Sequence, residues 1–126
     1  MAPTTHGRYF MDQSDSPVHV GELLEIMDHD MELLRECLDD FARDAPDMLD
    51  QIRSAVAGGN HEALEYSAHA IKGTLRYLAA FEAADMALEL EEAGRSGSSM
   101  DTARDLLDRL ENECGRIFRF IERFSV

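Results

Sequence analysis

The densest chemistry in this 126-residue chain lies in Ser67-Ala68-His69-Ala70-Ile71-Lys72-Gly73-Thr74-Leu75, where an imidazole, an ammonium and a glycine fall close together. On a helix at about 100° per residue, Leu64, Ser67, Ile71, Leu75 and Leu78 gather opposite His69. Glu62, Glu65, Tyr66, Lys72, Gly73 and Arg76 lie within roughly 60° of it. His69 is therefore expected to point away from the core, whereas a lone histidine in a helical domain is most often packed inside. Gly73 adds to the pattern, because a glycine inside a helix costs about 1 kcal/mol relative to alanine. One turn beyond an exposed histidine, it clears space above the ring for an approaching partner. Lys72 is within reach of the same imidazole edge. An imidazole nitrogen can attack phosphorus directly and hold the group as a phosphoramidate. Lys72, with Arg76 as a second cation, would then offset charge on the transferring oxygens. The spacing by itself fits an idle, solvated histidine equally well.

The elements that must position these residues read as helices. After residues 1–18, which lack periodicity and look like a flexible leader, a short helix is expected over about residues 20–28. Tyr9, Phe10 and Met11 are the leader residues able to dock onto the rest. Asp30 is a good N-cap for a first long helix whose stripe is Met31, Leu34, Leu38, Phe41, Ala45, Met48, Ile52 and Val56. Pro46 predicts a kink near residues 42–46 rather than a break, and Gly58 and Gly59 end the helix. Asn60 caps a second helix to about Leu78. A third spans about Phe81 to Ala93, with Ala84, Leu88 and Glu91 as inward candidates, and residues 94–99 read as a loop. Ser99 caps the last helix, which carries Ala103, Leu106, Leu107, Leu110, Cys114, Ile117, Ile121 and Phe124. The economical arrangement is an all-α, antiparallel four-helix bundle with a short extra N-terminal helix, over residues 19–126.

Composition excludes several function classes. The net charge of −14 opposes both a nucleic-acid footprint and an anionic membrane surface. That charge is expected to solvate the helix faces and keep the protein monomeric. Cys37 and Cys114 form neither a CxxC nor a disulfide framework, and the chain has no long apolar run, so a cytoplasmic location is expected. No GxxxxGK[ST] loop is present, so the chain is not expected to phosphorylate itself from ATP. A metal site is disfavoured: Glu65 and His69 are four apart rather than three, and His61 and His69 are eight apart. Asp28-His29-Asp30-Met31-Glu32 resembles the start of a calcium loop but lacks its glycine and distal glutamate. His6, His19 and His29 are expected to be exposed and idle.

Ala68-His69-Ala70-Ile71-Lys72-Gly73-Thr74 resembles the signature of histidine-containing phosphotransfer domains, and the likeness extends over about residues 20–124. Phe41 falls where that family tends to place an aromatic residue, and Leu90-Glu91 resembles its Leu-Glu pair. The resemblance implies a four-helix bundle in which His69 is the phosphoacceptor, Lys72 steadies the phosphoryl group and Gly73 admits a partner's aspartate. Tyr66 and Arg76 are supporting candidates from the helical wheel. Where the family often has glycine ten residues after the histidine, this chain has Ala79, so a modest change in that turn is expected. The implied function is that of a carrier without autonomous catalysis or cofactor. It accepts the group from a receiver-domain aspartate, downstream of a hybrid sensor histidine kinase, and passes it to another response-regulator receiver. The Mg²⁺ is expected on the receiver. Nε2 is the expected phosphorylated nitrogen. The alternative is a docking adaptor or inhibitor of the same fold with no transfer role.

Overall fold

Capping residues and glycines mark most of the helix ends in the computed structural model, which describes residues 16–125. Helix α1 spans Val20–Ile26, α2 Met31–Ala57, α3 His61–Tyr77, α4 Phe81–Ser96 and α5 Met100–Ser125. The Asp30 side chain accepts from the Leu33 N–H at 3.1 Å, and that of Asn60 accepts from the Ala63 N–H at 3.0 Å. Ser99 does the same for the Thr102 N–H at 3.2 Å. Each satisfies a donor that the first helical turn leaves without a partner. Asp30, the middle acid of the cluster that resembles a calcium loop, thus serves as a helix cap.

The four long helices close into a ring: α2 packs on α3, α3 on α4, α4 on α5, and α5 returns to α2. The core runs through Leu34, Leu38, Phe41 and Ile52 of α2, Leu64, Ile71 and Leu75 of α3, Leu90 of α4, and Leu110, Cys114 and Ile117 of α5. Helix α2 has 27 residues and α5 has 26, against 17 in α3 and 16 in α4. At 1.5 Å per residue the long pair exceeds the short pair by about 15 Å. Short connections hold the helices level at the other end, so the excess falls at the start of α2 and the end of α5. There α1 packs on α2, and Pro17 and Val18 are buried. The rest of the expected leader, residues 1–15 with His6 and the Tyr9-Phe10-Met11 triplet, lies outside the described residues.

Three local expectations change. Met31, the first residue of α2, is exposed at the overhanging end, and Leu49 joins the buried stripe beside a half-buried Met48. Helix α1 ends at Ile26, where Asp28 and His29 adopt left-handed backbone angles. Helix α2 is not broken at Pro46, as expected, and the proline lies on its exposed face. Helix α4 extends to Ser96, so Gly94 is not the start of a loop. It is buried at the crossing with α3, where an added Cβ would lie 2.6 Å from the Glu65 nitrogen and 2.8 Å from the His61 oxygen. Glycine there is a packing requirement, not a breaker. Ala80, Ala83, Ala84 and Ala87 continue the same close-packed side of α4.

The turn after α3 accounts for Ala79. The Ala79 N–H donates to the Arg76 oxygen at 3.0 Å and the Ala80 N–H to the Leu75 oxygen at 2.9 Å. This is the helix-ending pattern that needs a left-handed residue, and Ala79 supplies it at φ 60°. The same pattern after α2 uses Gly59 at φ 63°. A side chain in this region costs an alanine about 1 kcal/mol. The geometry of the turn is kept, and the substitution is absorbed as strain.

Candidate functional site

His69 sits midway along α3, on the face turned from the core, and its side chain is 67% exposed. Ser67, Ala68 and Ile71 are buried on the other face, which fixes the rotation of the helix. The close approach of α4, permitted by Gly94 one turn further on, brings Glu91 beneath the imidazole. Its Oε2 lies 2.8 Å from His69 Nδ1. An ionised carboxylate only accepts, so Nδ1 carries the proton and donates it to Glu91. The lone pair is then on Nε2, the ring atom turned to solvent.

Glu91 is the centre of the arrangement, with its side chain only 5% exposed. Its Oε1 accepts from Lys72 Nζ at 2.6 Å, and Oε2 also accepts from Arg95 at 3.0 Å. Arg95 reaches on to Glu65 at 3.1 Å. Burial pushes the Glu91 carboxyl up, but hydrogen bonds from Lys72 and His69, with their charges, outweigh it and hold the group below its ordinary value. A buried carboxylate stays ionised when it is paired and fully hydrogen-bonded, as here.

The other expected site residues divide. Lys72 is drawn in, its side chain 12% exposed and its ammonium on Glu91. It lies beside the imidazole as the spacing predicted, but it reaches the site through the carboxylate. A Cβ added at Gly73 would meet nothing within 4 Å, so no internal packing requires glycine there. Tyr66 is 77% exposed and lines a cleft with Glu62, Glu65, His69 and Glu91. Arg76 is exposed and not joined to the Glu91 cluster, where Arg95 stands as the second cation.

Reading the sequence missed the link from Glu91 to His69, and Arg95 altogether. Two signals were present: a glutamate on the small-residue side of its helix, and an arginine four residues after it. His61, eight residues before His69, is instead tied down, with Nε2 donating to the Ser98 oxygen at 2.7 Å. Among the described residues no group of three or more His, Cys, Asp or Glu side chains is placed to hold a metal ion, and no helix is long and apolar enough to cross a membrane. Both cysteines are free. Burial pushes the Cys114 thiol up to about 12, which makes it a packing residue.

Comparison with known proteins agrees with this architecture. A family model described as Hpt domain matches residues 36–119. Among solved structures, the chain is similar to the crystal structure of histidine-containing phosphotransfer protein B (HptB) from Pseudomonas aeruginosa PAO1. The two are 28% identical with a TM-score of 0.70, over 82% of this chain and 86% of that one. No curated protein matches the chain.

Proposed function

The chain belongs to the Hpt domain family, and on that premise we propose that it carries phosphoryl groups on Nε2 of His69 between receiver domains of a phosphorelay. The observation that carries this reading is the bond from His69 Nδ1 to the buried Glu91, which leaves Nε2 outward with its lone pair.

The Nε2 lone pair attacks the phosphorus of a receiver's aspartyl phosphate. As the N–P bond forms, the P–O bond to the aspartate breaks and the carboxylate leaves with its electron pair. The ring becomes cationic, and Glu91 stabilises that charge through the Nδ1 proton it already accepts. Donation to a second receiver is the reverse of these steps. Lys72 and Arg95, both paired to Glu91 at rest, are the cations of this cluster and would offset charge on the transferring oxygens. The open space at Gly73 admits the partner's aspartate, and the exposed Tyr66 offers an aromatic contact beside the ring. The kinase feeding the relay is a hybrid sensor kinase, and the carrier acts as a monomer in the cytoplasm.

The test is to mix the protein with a phosphorylated receiver and follow label that is acid-labile and base-stable, with His69→Gln alongside. Label on the wild type and none on the variant supports the reading. Binding to a receiver without label on either protein would return the function to a docking adaptor.

A further inference from the structure

An open groove of about 550 Å³ runs along the overhanging end of α5, remote in sequence from His69. It is lined by Arg116, Arg119 and Arg123, by Phe120 and Phe124, and by Ser16 and Pro17. Its charge is out of keeping with the rest of the chain, which has 26 acidic residues and only 12 lysines and arginines. Arg116 pairs with Glu113 at 3.1 Å, but Arg119 and Arg123 form no ion pair among the described residues. Phe120 and Phe124 stack with their centroids 5.8 Å apart and stay half-exposed. Two guanidiniums without a carboxylate beside two open aromatic faces call for an occupant that is both anionic and aromatic or apolar.

One such segment is attached at the groove itself. Ser16 and Pro17, two of its lining residues, are where residues 1–15 join the described chain. That segment holds Tyr9-Phe10-Met11 followed by Asp12 and Asp15. Phe10 is six residues before Ser16, a reach of about 20 Å when extended. The run of α5 from Arg116 to Phe124 rises about 12 Å. Covalent attachment gives the segment a local concentration of about a millimolar or more, which favours it over a weakly bound free partner. We propose that residues 9–15 occupy this groove, with Tyr9-Phe10-Met11 against Phe120 and Phe124, and with Asp12 and Asp15 paired to Arg119 and Arg123. The segment then completes the bundle at its overhanging end.

The chain has no tryptophan, so Phe10→Trp in the full-length protein introduces a single reporter. The expected result is blue-shifted emission and acrylamide quenching at least threefold weaker than in a free peptide of residues 1–15 bearing the same substitution. Adding Arg119→Glu with Arg123→Glu should return quenching to the peptide's level, with far-UV circular dichroism showing that the helices persist. Should that variant unfold, Asp12→Lys with Asp15→Lys makes the same test from the segment's side. Peptide-like quenching in the parent, or protection that survives both charge reversals, would overturn the proposal. Protection lost on dilution, together with a dimer in sedimentation, would assign the groove to a second copy of the chain instead.

Discussion

Among the described residues two histidines meet a glutamate, and the two pairs are inverted. At His69 the ring is exposed and the acid buried; Nδ1 is engaged and Nε2 is outward. At His19 the ring is largely covered, with its side chain 28% exposed, while Glu82 is 52% exposed. There Nε2 is the engaged atom, at 3.0 and 3.2 Å from the two carboxylate oxygens. The ring also packs 5.1 Å from Phe81, and the His19 N–H donates to the Ala79 oxygen at 2.9 Å. So His19 is neither idle nor reactive, against its expected role; it fastens the N-terminal end to the turn between α3 and α4. The difference teaches that burial of the acid, rather than the pairing itself, separates a histidine that presents a nitrogen from one that spends it on the fold.

The contrast breaks most sharply on substitution of the rings. His69→Gln is expected to abolish phosphoryl label with little change in the urea midpoint. His19→Gln should leave transfer intact and lower the midpoint. Equal loss of transfer from both would erase the distinction. The second test concerns the residue behind each pair. Gly94→Ala forces α4 away from α3 and is expected to cost about 2 kcal/mol in urea unfolding and to slow transfer, since it moves Glu91 from His69.

The acids themselves sharpen the comparison. Glu91→Gln keeps an acceptor for Nδ1 but removes the charge that balances the imidazolium, so transfer should slow about tenfold, about 1.4 kcal/mol in the barrier. Glu82→Gln should leave the rate unchanged. The pH dependence of stability separates the pairs next. Burial pushes the Glu91 carboxyl up, and its cationic partners bring it below the ordinary value of 4.5. Its contribution is therefore complete above pH 4.5 and is lost as pH falls from there through the depressed native value. Urea midpoints of the wild type and Glu91→Gln should differ at pH 6 and converge towards pH 3. The smallest effect is expected at Ala79→Gly, which relieves the left-handed alanine that His19 grips. A gain of about 0.5 kcal/mol is expected, after allowing for the freer unfolded chain. A loss would show that the Ala79 methyl group contributes to packing.

Much of the fold was legible because it rests on local signals. The caps Asp30, Asn60 and Ser99 and the outward position of His69 follow from spacing along single helices. What was not legible depends on the distance between helices. Gly94 reads as a breaker beside Ser96, Gly97 and Ser98, and only the approach of Glu65 and His61 reveals it as a crossing point. For the same reason Glu91 could be seen to face inward but not to meet His69, Lys72 and Arg95 together. Arg76, favoured by the helical wheel, meets no cross-helix carboxylate among the described residues, whereas Arg95 has one on its own helix and one across the gap.

The unequal helix lengths have a consequence for how such a carrier can diversify. The face that carries His69 lies on the short α3–α4 pair, and the surplus of α2 and α5 projects beyond it. Extra sequence grafted at that projecting end, whether a tether, an anchor or a whole neighbouring module, would hang clear of the face that carries His69. Attachment and partner choice can therefore change independently, one lineage altering its address while retaining its chemistry, and another the reverse.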